Sequence, residues 1–206
     1  DFSFSEGVED EPRGALFTYK TGRPVEIVSD TQIGCNVMRD RFDAFLAAKA
    51  KEAGAEVMEG CRICGFEEDG DSVTVAAASG ELYKARFLIG ADGASGFLGR
   101  EVFKLNPREA AISITADVPY RGCSLKDFSG KIFIDFGSIP FGYCWIFPKK
   151  ECLSVGVAGY AVKTGGRTVK DVFTGFVRTH PVLKELNISG TAGWSVPCYH
   201  SGQPWA

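Results

Sequence analysis

Three aromatic side chains alternate within the segment 140–148, namely Tyr143, Trp145 and Phe147. Because successive side chains of a β-strand point to opposite faces, a strand here places all three on one face. Such a row forms a broad apolar wall that carries a phenolic O–H and an indole N–H as polar groups. The wall suits a long hydrocarbon or a flat ring, although the same alternation is also typical of an ordinary sheet core.

A second candidate site is the turn after the apolar run Leu88-Ile89-Gly90, where Asp92 and Gly93 follow a predicted buried strand. The carboxyl end of such a strand is where α/β sheets bind ligands. Gly93 permits a positive φ or a close approach of the backbone. The Asp92 carboxylate can accept backbone N–H bonds that order the loop beside a pyrophosphate. An ordinary Asp-Gly turn is the alternative interpretation.

Arg39 stands at the start of a predicted helix over 39–53, which Gly54 is placed to end. A helix N-terminus has free N–H groups and the positive end of the helix dipole. An arginine there can reach a phosphate or the ribityl chain of a cofactor, and a solvated surface arginine is the alternative.

No metal site and no catalytic acid or base are predicted. Cys61 and Cys64 form a Cys-x-x-Cys motif, but no second cysteine pair or histidine cluster accompanies it. The formal charge of −3 favours neither nucleic acid nor an anionic membrane as a partner. The seven cysteines form no recognisable disulfide framework, which favours a reducing compartment. No run of 18 apolar residues predicts a membrane span.

The predicted elements indicate an α+β fold with a mostly antiparallel sheet and an α/β part built around the first helix. Besides that helix they comprise a hairpin over 15–28, a short strand at 55–58, a meander over 61–87, a buried strand at 86–90, strands near 110–119, 131–136, 142–148 and 152–160, helical stretches near 167–179 and 181–187, and a strand near 192–198. The acidic segment 1–13 is predicted to lie on the surface.

Three of these segments, in this order, resemble the geranylgeranyl reductase family of flavoproteins, within the p-hydroxybenzoate hydroxylase fold group. The matching residues are Arg39, Phe42, Asp43, Gly54 and Ala55 for the helix and following turn, Ile89 to Gly93 for the Ile-Gly-Ala-Asp-Gly segment, and Tyr143, Trp145, Phe147 and Pro148 for the Tyr-x-Trp-x-Phe-Pro segment. Gly156-Val157-Ala158 then stands where the family has Gly-x-Gly.

The resemblance implies an FAD-dependent oxidoreductase that reduces carbon–carbon double bonds of a geranylgeranyl or other prenyl group. It implies FAD contacts from Arg39, Ile63, Gly90, Asp92 and Gly93, with the reduced flavin supplied by NAD(P)H or another donor. It places Tyr143, Trp145, Phe147 and Pro148 on the substrate. The expected substrate is a prenyl lipid or another apolar small molecule, and the expected location is cytoplasmic with peripheral membrane contact.

The resemblance also implies three units: a substrate-domain hairpin at 1–34, the central part of the FAD-binding domain at 35–103, and a substrate-binding domain at 104–206. Neither a Gly-x-Gly-x-x-Gly nor a Gly-Asp-Ala motif occurs, and the family's order places these motifs before Asp1 and after Ala206. The segment alone is therefore expected to bind FAD weakly or not at all, and to be inactive. A flavin-dependent aromatic hydroxylase of the same fold and a non-catalytic lipid-binding fragment are the alternatives.

Overall fold

A seven-stranded sheet, a three-stranded meander and a two-stranded ladder make up the strands of the computed structural model, which describes residues 3–103, 110–119, 128, 130–160 and 166–196. The strands are β1 (Val8–Asp10), β2 (Gly14–Tyr19), β3 (Val25–Val28), β4 (Asn36–Val37), β5 (Ile63–Glu68), β6 (Val73–Ala77), β7 (Leu82–Ala85), β8 (Ala111–Pro119), β9 (Lys131–Phe136), β10 (Gly142–Pro148), β11 (Cys152–Tyr160) and β12 (Ala192–Val196). The helices are α1 (Arg39–Glu52), α2 (Phe97–Phe103) and α3 (Val169–Thr179). The α+β fold class predicted from the sequence is confirmed.

The large sheet has the strand order β12-β8-β11-β10-β9-β2-β3 and is antiparallel except between β2 and β9. The β2–β3 hairpin joins the sheet along β9, in parallel register from Gly14 opposite Lys131 to Tyr19 opposite Phe136. An isolated hairpin is only marginally stable in water, so this pairing supplies the neighbour that it needs. The hairpin thus docks on the sheet built after residue 104, whereas β1 pairs with β4 outside that sheet.

One face of this sheet is covered by α3. The helix begins with a capping box, in which the Thr168 hydroxyl accepts the Asp171 N–H and the Asp171 carboxylate accepts the Thr168 N–H. Its apolar side chains recur with helical spacing and are buried: Val169, Val172, Phe173 and Phe176. They pack against core residues of the strands that include Cys144, Ile146, Val155 and Val157. The opposite face of the same strands is thereby left for other contacts.

Two predicted strands are wrong. Residues 55–58 and 86–90 have no regular secondary structure, and neither segment pairs with a strand of the described part of the chain. A strand is stabilised by hydrogen bonds to its neighbours, so an apolar run that lacks a neighbour does not form one. Phe87 and Ile89 are accordingly 77% and 86% exposed.

The predicted stretch at 181–187 is a single 3₁₀ turn, Leu183–Glu185, because Pro181 interrupts the chain directly after α3. The ladder of β1 with β4 was not predicted, since β1 lies in a segment interpreted as irregular surface. The meander is confirmed as β5–β6–β7. Helix α1 ends at Glu52 with Ala53 as its C-cap, and Gly54 follows with a φ of +94°, in the capping position predicted for it. Among the described residues, none of the helices has the length and apolar character needed to cross a membrane.

His180 makes the stability of this core depend on pH. Its ring is buried against Phe133 and Phe176, with centroid distances of 5.0 and 5.6 Å. This burial lowers the pKa of His180 to about 4, although the nearby Asp135 carboxylate opposes the effect. The folded protein therefore disfavours the protonated imidazole, whereas the unfolded chain binds the proton near pH 6.5.

We expect this contribution to be complete above pH 6.5 and to be lost progressively as the pH falls toward 4, by roughly 3 kcal/mol in total. Urea unfolding at pH 7.0 and pH 4.5 measures the loss. His180→Asn is the matched control, since its amide oxygen can replace Nδ1 as acceptor for the Val182 N–H. An equal loss of unfolding free energy in both proteins would show that His180 is not responsible.

Candidate functional site

The aromatic residues of β10 form a continuous row on the face of the sheet opposite to α3. Ring centroids are 5.7 Å apart for Tyr143 and Trp145 and 6.0 Å apart for Trp145 and Phe147. Phe136 on β9 extends the row, with its centroid 6.4 Å from that of Tyr143. Tyr143 is 39% exposed, and Trp145 and Phe147 are half-buried. The predicted common face is therefore present, and we name these four residues the aromatic row.

Small residues on β11 leave room for the aromatic row. Trp145 pairs with Gly156, and Tyr143 pairs with Ala158. A Cβ added at Gly156 would collide with the six-membered ring of Trp145, so the indole lies directly over the glycine. The Gly156-Val157-Ala158 segment thus has a packing role that its sequence alone did not reveal.

Pro148 occupies a different position from the three aromatic residues with which it was grouped. Along β10 it has the same parity as Cys144 and Ile146, and it is buried with them. Its side chain therefore belongs to the face that α3 covers. Its carbonyl oxygen instead accepts a hydrogen bond of 2.8 Å from the Asn36 side chain.

Arg39 is the first residue of α1, as predicted. Its guanidinium forms a bidentate ion pair with Asp43 one turn later, with N–O distances of 2.9 and 3.0 Å. The ion pair lowers the pKa of the Asp43 carboxyl. The Arg39 side chain is 79% exposed, and the N-cap residue Met38 makes no side-chain capping bond. The first turn of α1 can therefore present backbone N–H groups to an anionic group. The Arg39 guanidinium lies beside them, with Nε and Nη2 bonded to Asp43, so an anion would compete with that carboxylate for it.

The Asp92 turn is ordered by the carboxylate, as the sequence suggested. Asp92 Oδ2 accepts the Leu98 N–H at 3.0 Å and so fixes the entry to α2. Gly93 has a φ of +80°, and a Cβ placed there would meet open space. This turn lines a cleft of about 830 Å³ together with the exposed segment 86–91 and residues of β5 and α2. Gly90, Asp92 and Gly93 are brought together here, whereas Ile63 and Arg39 lie outside the lining of the cleft.

Sequence reasoning missed a polar group of residues beside the end of the aromatic row. Lys149 directly follows β10, and its ammonium lies 3.4 Å from Asp117 Oδ1 and 3.1 Å from Met38 Sδ. Asn36 contacts the same end of β10 through the Pro148 carbonyl. These contacts join residues more than 30 positions apart, so their spacing along the chain gave no signal.

Comparison with known proteins gives a family profile and several relatives for this chain. The family profile described as FAD binding domain matches residues 5–120. A digeranylgeranylglycerophospholipid reductase of Methanocaldococcus jannaschii is 32% identical over 151 residues, which are 70% of this chain and 38% of that protein. An uncharacterized protein of Methanosarcina barkeri is 29% identical over 157 residues, 76% of this chain and 40% of the relative. The chain therefore spans about two fifths of the length of these relatives.

Further matches include a relative named as a halogenase and two solved structures. A tryptophan 2-halogenase of Chondromyces crocatus is 25% identical over 75% of this chain and 32% of that enzyme. The solved structure of a geranylgeranyl bacteriochlorophyll reductase-like protein from Thermoplasma acidophilum superposes with a TM-score of 0.73 at 22% identity, over 92% of this chain and 51% of that one. The halogenase PltM with phloroglucinol and FAD gives a TM-score of 0.67 at 15% identity, over 92% and 44% of the two chains. These structures share the fold of this chain.

Replacing Gly156 by alanine tests the packing of the aromatic row. The added methyl group overlaps the Trp145 ring, so we expect the indole to move and the unfolding free energy to fall by about 1–3 kcal/mol. Near-UV circular dichroism and urea unfolding measure the two effects. Gly65→Ala is the control, because a Cβ there meets only ordinary contact with Ala76 at 3.8 Å. A Gly156→Ala protein with unchanged spectrum and stability would contradict this arrangement.

Proposed function

The chain belongs to the FAD-binding domain family, and we propose that it is part of an FAD-dependent reductase of carbon–carbon double bonds in geranylgeranyl or related prenyl chains. The observation that carries the proposal is the aromatic row, half-exposed on a sheet whose other face is already filled by α3. An apolar wall of this kind needs an apolar partner to remove it from water.

A prenyl chain matches the aromatic row in shape and chemistry. Burying a hydrocarbon stabilises the complex by about 0.8 kcal/mol for each CH₂ removed from water. Neighbouring ring centroids along the row are 5.7 to 6.4 Å apart, so an extended prenyl chain can contact more than one ring. The Tyr143 hydroxyl and the Trp145 N–H place two polar groups in the middle of the row, between Phe136 and Phe147. The relatives named as digeranylgeranylglycerophospholipid reductases support the same substrate class.

The residues of this chain fit part of an FAD site. The first turn of α1 combines Arg39 with backbone N–H groups that no side chain of Met38 caps, and the turn at Gly93 leaves open space where a side chain would otherwise stand. Bound FAD would supply the hydride that reduces the alkene. Arg39 would hold an anionic part of the cofactor, and Asp92 would keep its loop in place. Backbone contacts to FAD would come from Gly90, Gly93 and Ile63.

The proposal also covers the domain assignment, the electron donor for the flavin and the access of the lipid substrate. We assign 1–34 and 104–206 to the substrate domain and 35–103 to the central part of the FAD-binding domain, consistent with the pairing of β2 with β9. The flavin would be reduced by NAD(P)H or another donor. Peripheral membrane contact would give access to a lipid substrate. Exclusion of water by the aromatic row would protect the reduced flavin and the bound alkene.

Flavin-dependent chemistry on an aromatic ring is the second candidate function. The likeness to tryptophan 2-halogenase and to the PltM fold favours it, since a flat ring would stack on Trp145 as well as a prenyl chain does. The products distinguish the two functions. A reductase adds two hydrogen atoms to each double bond, whereas a halogenase replaces a ring hydrogen by a halogen and a hydroxylase inserts an oxygen atom into a ring C–H bond.

The direct test uses the full-length protein with chemically reduced FAD and a geranylgeranyl lipid in the absence of oxygen. We expect the lipid mass to increase by two hydrogen atoms for each reduced double bond. A parallel reaction contains tryptophan or phloroglucinol with bromide and oxygen. If a halogenated product forms and the lipid is unchanged, the reductase function is refuted and flavin-dependent chemistry on an aromatic ring takes its place.

Trp145→Ala separates a substrate wall from an ordinary core. If Trp145 binds the prenyl chain, the variant should bind the lipid at least about tenfold more weakly, while its unfolding free energy falls by about 1–3 kcal/mol because the indole is only half-buried over Gly156. A core tryptophan would cost about 3–5 kcal/mol. Lipid titration and urea unfolding give the two quantities.

The matched control is Ile146→Ala, because Ile146 is the neighbouring residue on the fully buried face. That variant should lose about 2–5 kcal/mol of stability and keep its lipid affinity in the folded fraction. The opposite result, in which Trp145→Ala is unfolded and Ile146→Ala is affected only in lipid binding, would refute the claim that Trp145 contacts the substrate.

A further inference from the structure

We propose that Lys149 and Asn36 are positioning residues that hold the start of α1 at a fixed place relative to the aromatic row. The inference rests on the proposed function, because it assumes a cofactor at Arg39 and a substrate on the row. It concerns a different property, namely the geometry between these two sites. We name the contacts of Lys149 and Asn36 the brace.

The first half of the brace is a hydrogen bond from β4 to β10. Asn36 Nδ2 donates to the Pro148 carbonyl oxygen at 2.8 Å, and it lies 3.4 Å from Asp10 Oδ2 on the paired strand β1. Asn36 pairs with Asp10 in the β1–β4 ladder. The amide therefore ties this two-stranded ladder to the last residue of the strand that bears the aromatic row.

The second half of the brace is the Lys149 ammonium. It lies 3.1 Å from Sδ of Met38, the N-cap residue of α1, and 3.4 Å from Oδ1 of Asp117 on β8. Its side chain is only 10% exposed. A charge removed from water to this degree requires partners, and Lys149 finds them on the sheet and on the segment that leads into α1. Its backbone N–H is itself fixed by the Cys152 carbonyl at 2.8 Å.

The two sets of contacts in the brace join neighbouring parts of the chain: the segment just before α1 and the residues just after the aromatic row. Asn36 and Met38 flank a single residue before Arg39, while Pro148 and Lys149 immediately follow the row residue Phe147. The cofactor segment and the substrate wall are thus connected through one short set of side-chain contacts. Since an error of about 1 Å in the placement of reacting groups can cost on the order of 100-fold in rate, this connection determines the reaction geometry.

The brace predicts a change in rate rather than in affinity. In the full-length FAD-containing protein, Lys149→Met should lower the single-turnover rate of alkene reduction about 10- to 100-fold and leave the lipid dissociation constant within about twofold. Lys149→Arg, which keeps a long cationic side chain, should restore most of the rate. Lys150→Met is the matched control, because Lys150 is the exposed neighbour in the same turn.

Hydrogen exchange gives a readout that is independent of activity. The hydrogen-bonded amides within residues 36–42, which include Phe42 bonded to the Met38 carbonyl, should exchange at least about tenfold faster in Lys149→Met, while amides of β10 and β11 keep the wild-type rates. Lys149→Arg and Lys150→Met should match the wild type. Asn36→Ala provides a second variant, which should accelerate exchange in the same segment even if Lys149→Met folds poorly.

Three results would overturn the inference. The first is unchanged exchange over 36–42 in both Lys149→Met and Asn36→Ala. The second is faster exchange throughout the protein in both variants, which would show a general contribution to stability. The third is a weaker lipid affinity with an unchanged single-turnover rate, which would assign Lys149 to the substrate. A wild-type protein that reduces no prenyl lipid would refute the proposed function, whereas the exchange measurements would still decide the brace.

Discussion

The alternation of side chains along β10 is the constraint on which the rest of the sheet depends. Cys144 and Ile146 enter the core under α3, so the residues between them must lie on the other face. The register is fixed on both sides, by pairing of Trp145 with Gly156 on β11 and with Ile134 on β9. A slip by one residue would put the indole into the core and Ile146 into water. The same physical requirement that builds the core therefore builds the aromatic wall.

A buried carboxylate extends this wall beyond the antiparallel strands. Asp135 Oδ1 accepts hydrogen bonds of 2.6 Å from both the Thr18 hydroxyl and the Thr21 N–H, which fasten the β2–β3 hairpin to β9. The hairpin brings Phe17 to within 6.2 Å of Phe136, centroid to centroid. Asp135 Oδ2 has no hydrogen-bond partner among the described residues, so this attachment also has a cost in desolvation.

Local patterns predicted the elements whose partners are also in this chain. The alternation at 142–148, the hairpin at 15–28 and the helical spacing after Arg39 each agree with the structure. The apolar run at 86–90 predicted a strand that does not form. A strand needs a neighbour to pair with, and the apolar pattern of a segment does not indicate whether such a neighbour is present. The parallel pairing of β2 with β9 and the contact of Lys149 with Met38 join distant positions, so no local period encodes them. Pro148 shows the limit of grouping by motif, since it lies on the opposite face from the aromatic residues beside it.

The described residues include an apolar cleft and, at a different place, the aromatic row, and the central claim assigns the substrate to the row. The cleft beside the Asp92 turn is lined by the exposed segment 86–91, whereas the aromatic row lies on β9 and β10. Photo-crosslinking of the full-length protein with a diazirine-bearing geranylgeranyl lipid, followed by peptide mass spectrometry, distinguishes these two surfaces directly. We expect the label on peptides that contain 132–136 and 142–148, and we expect an excess of unlabelled geranylgeranyl lipid to suppress it. A competable label confined to 86–102, with none on β9 or β10, would contradict the account.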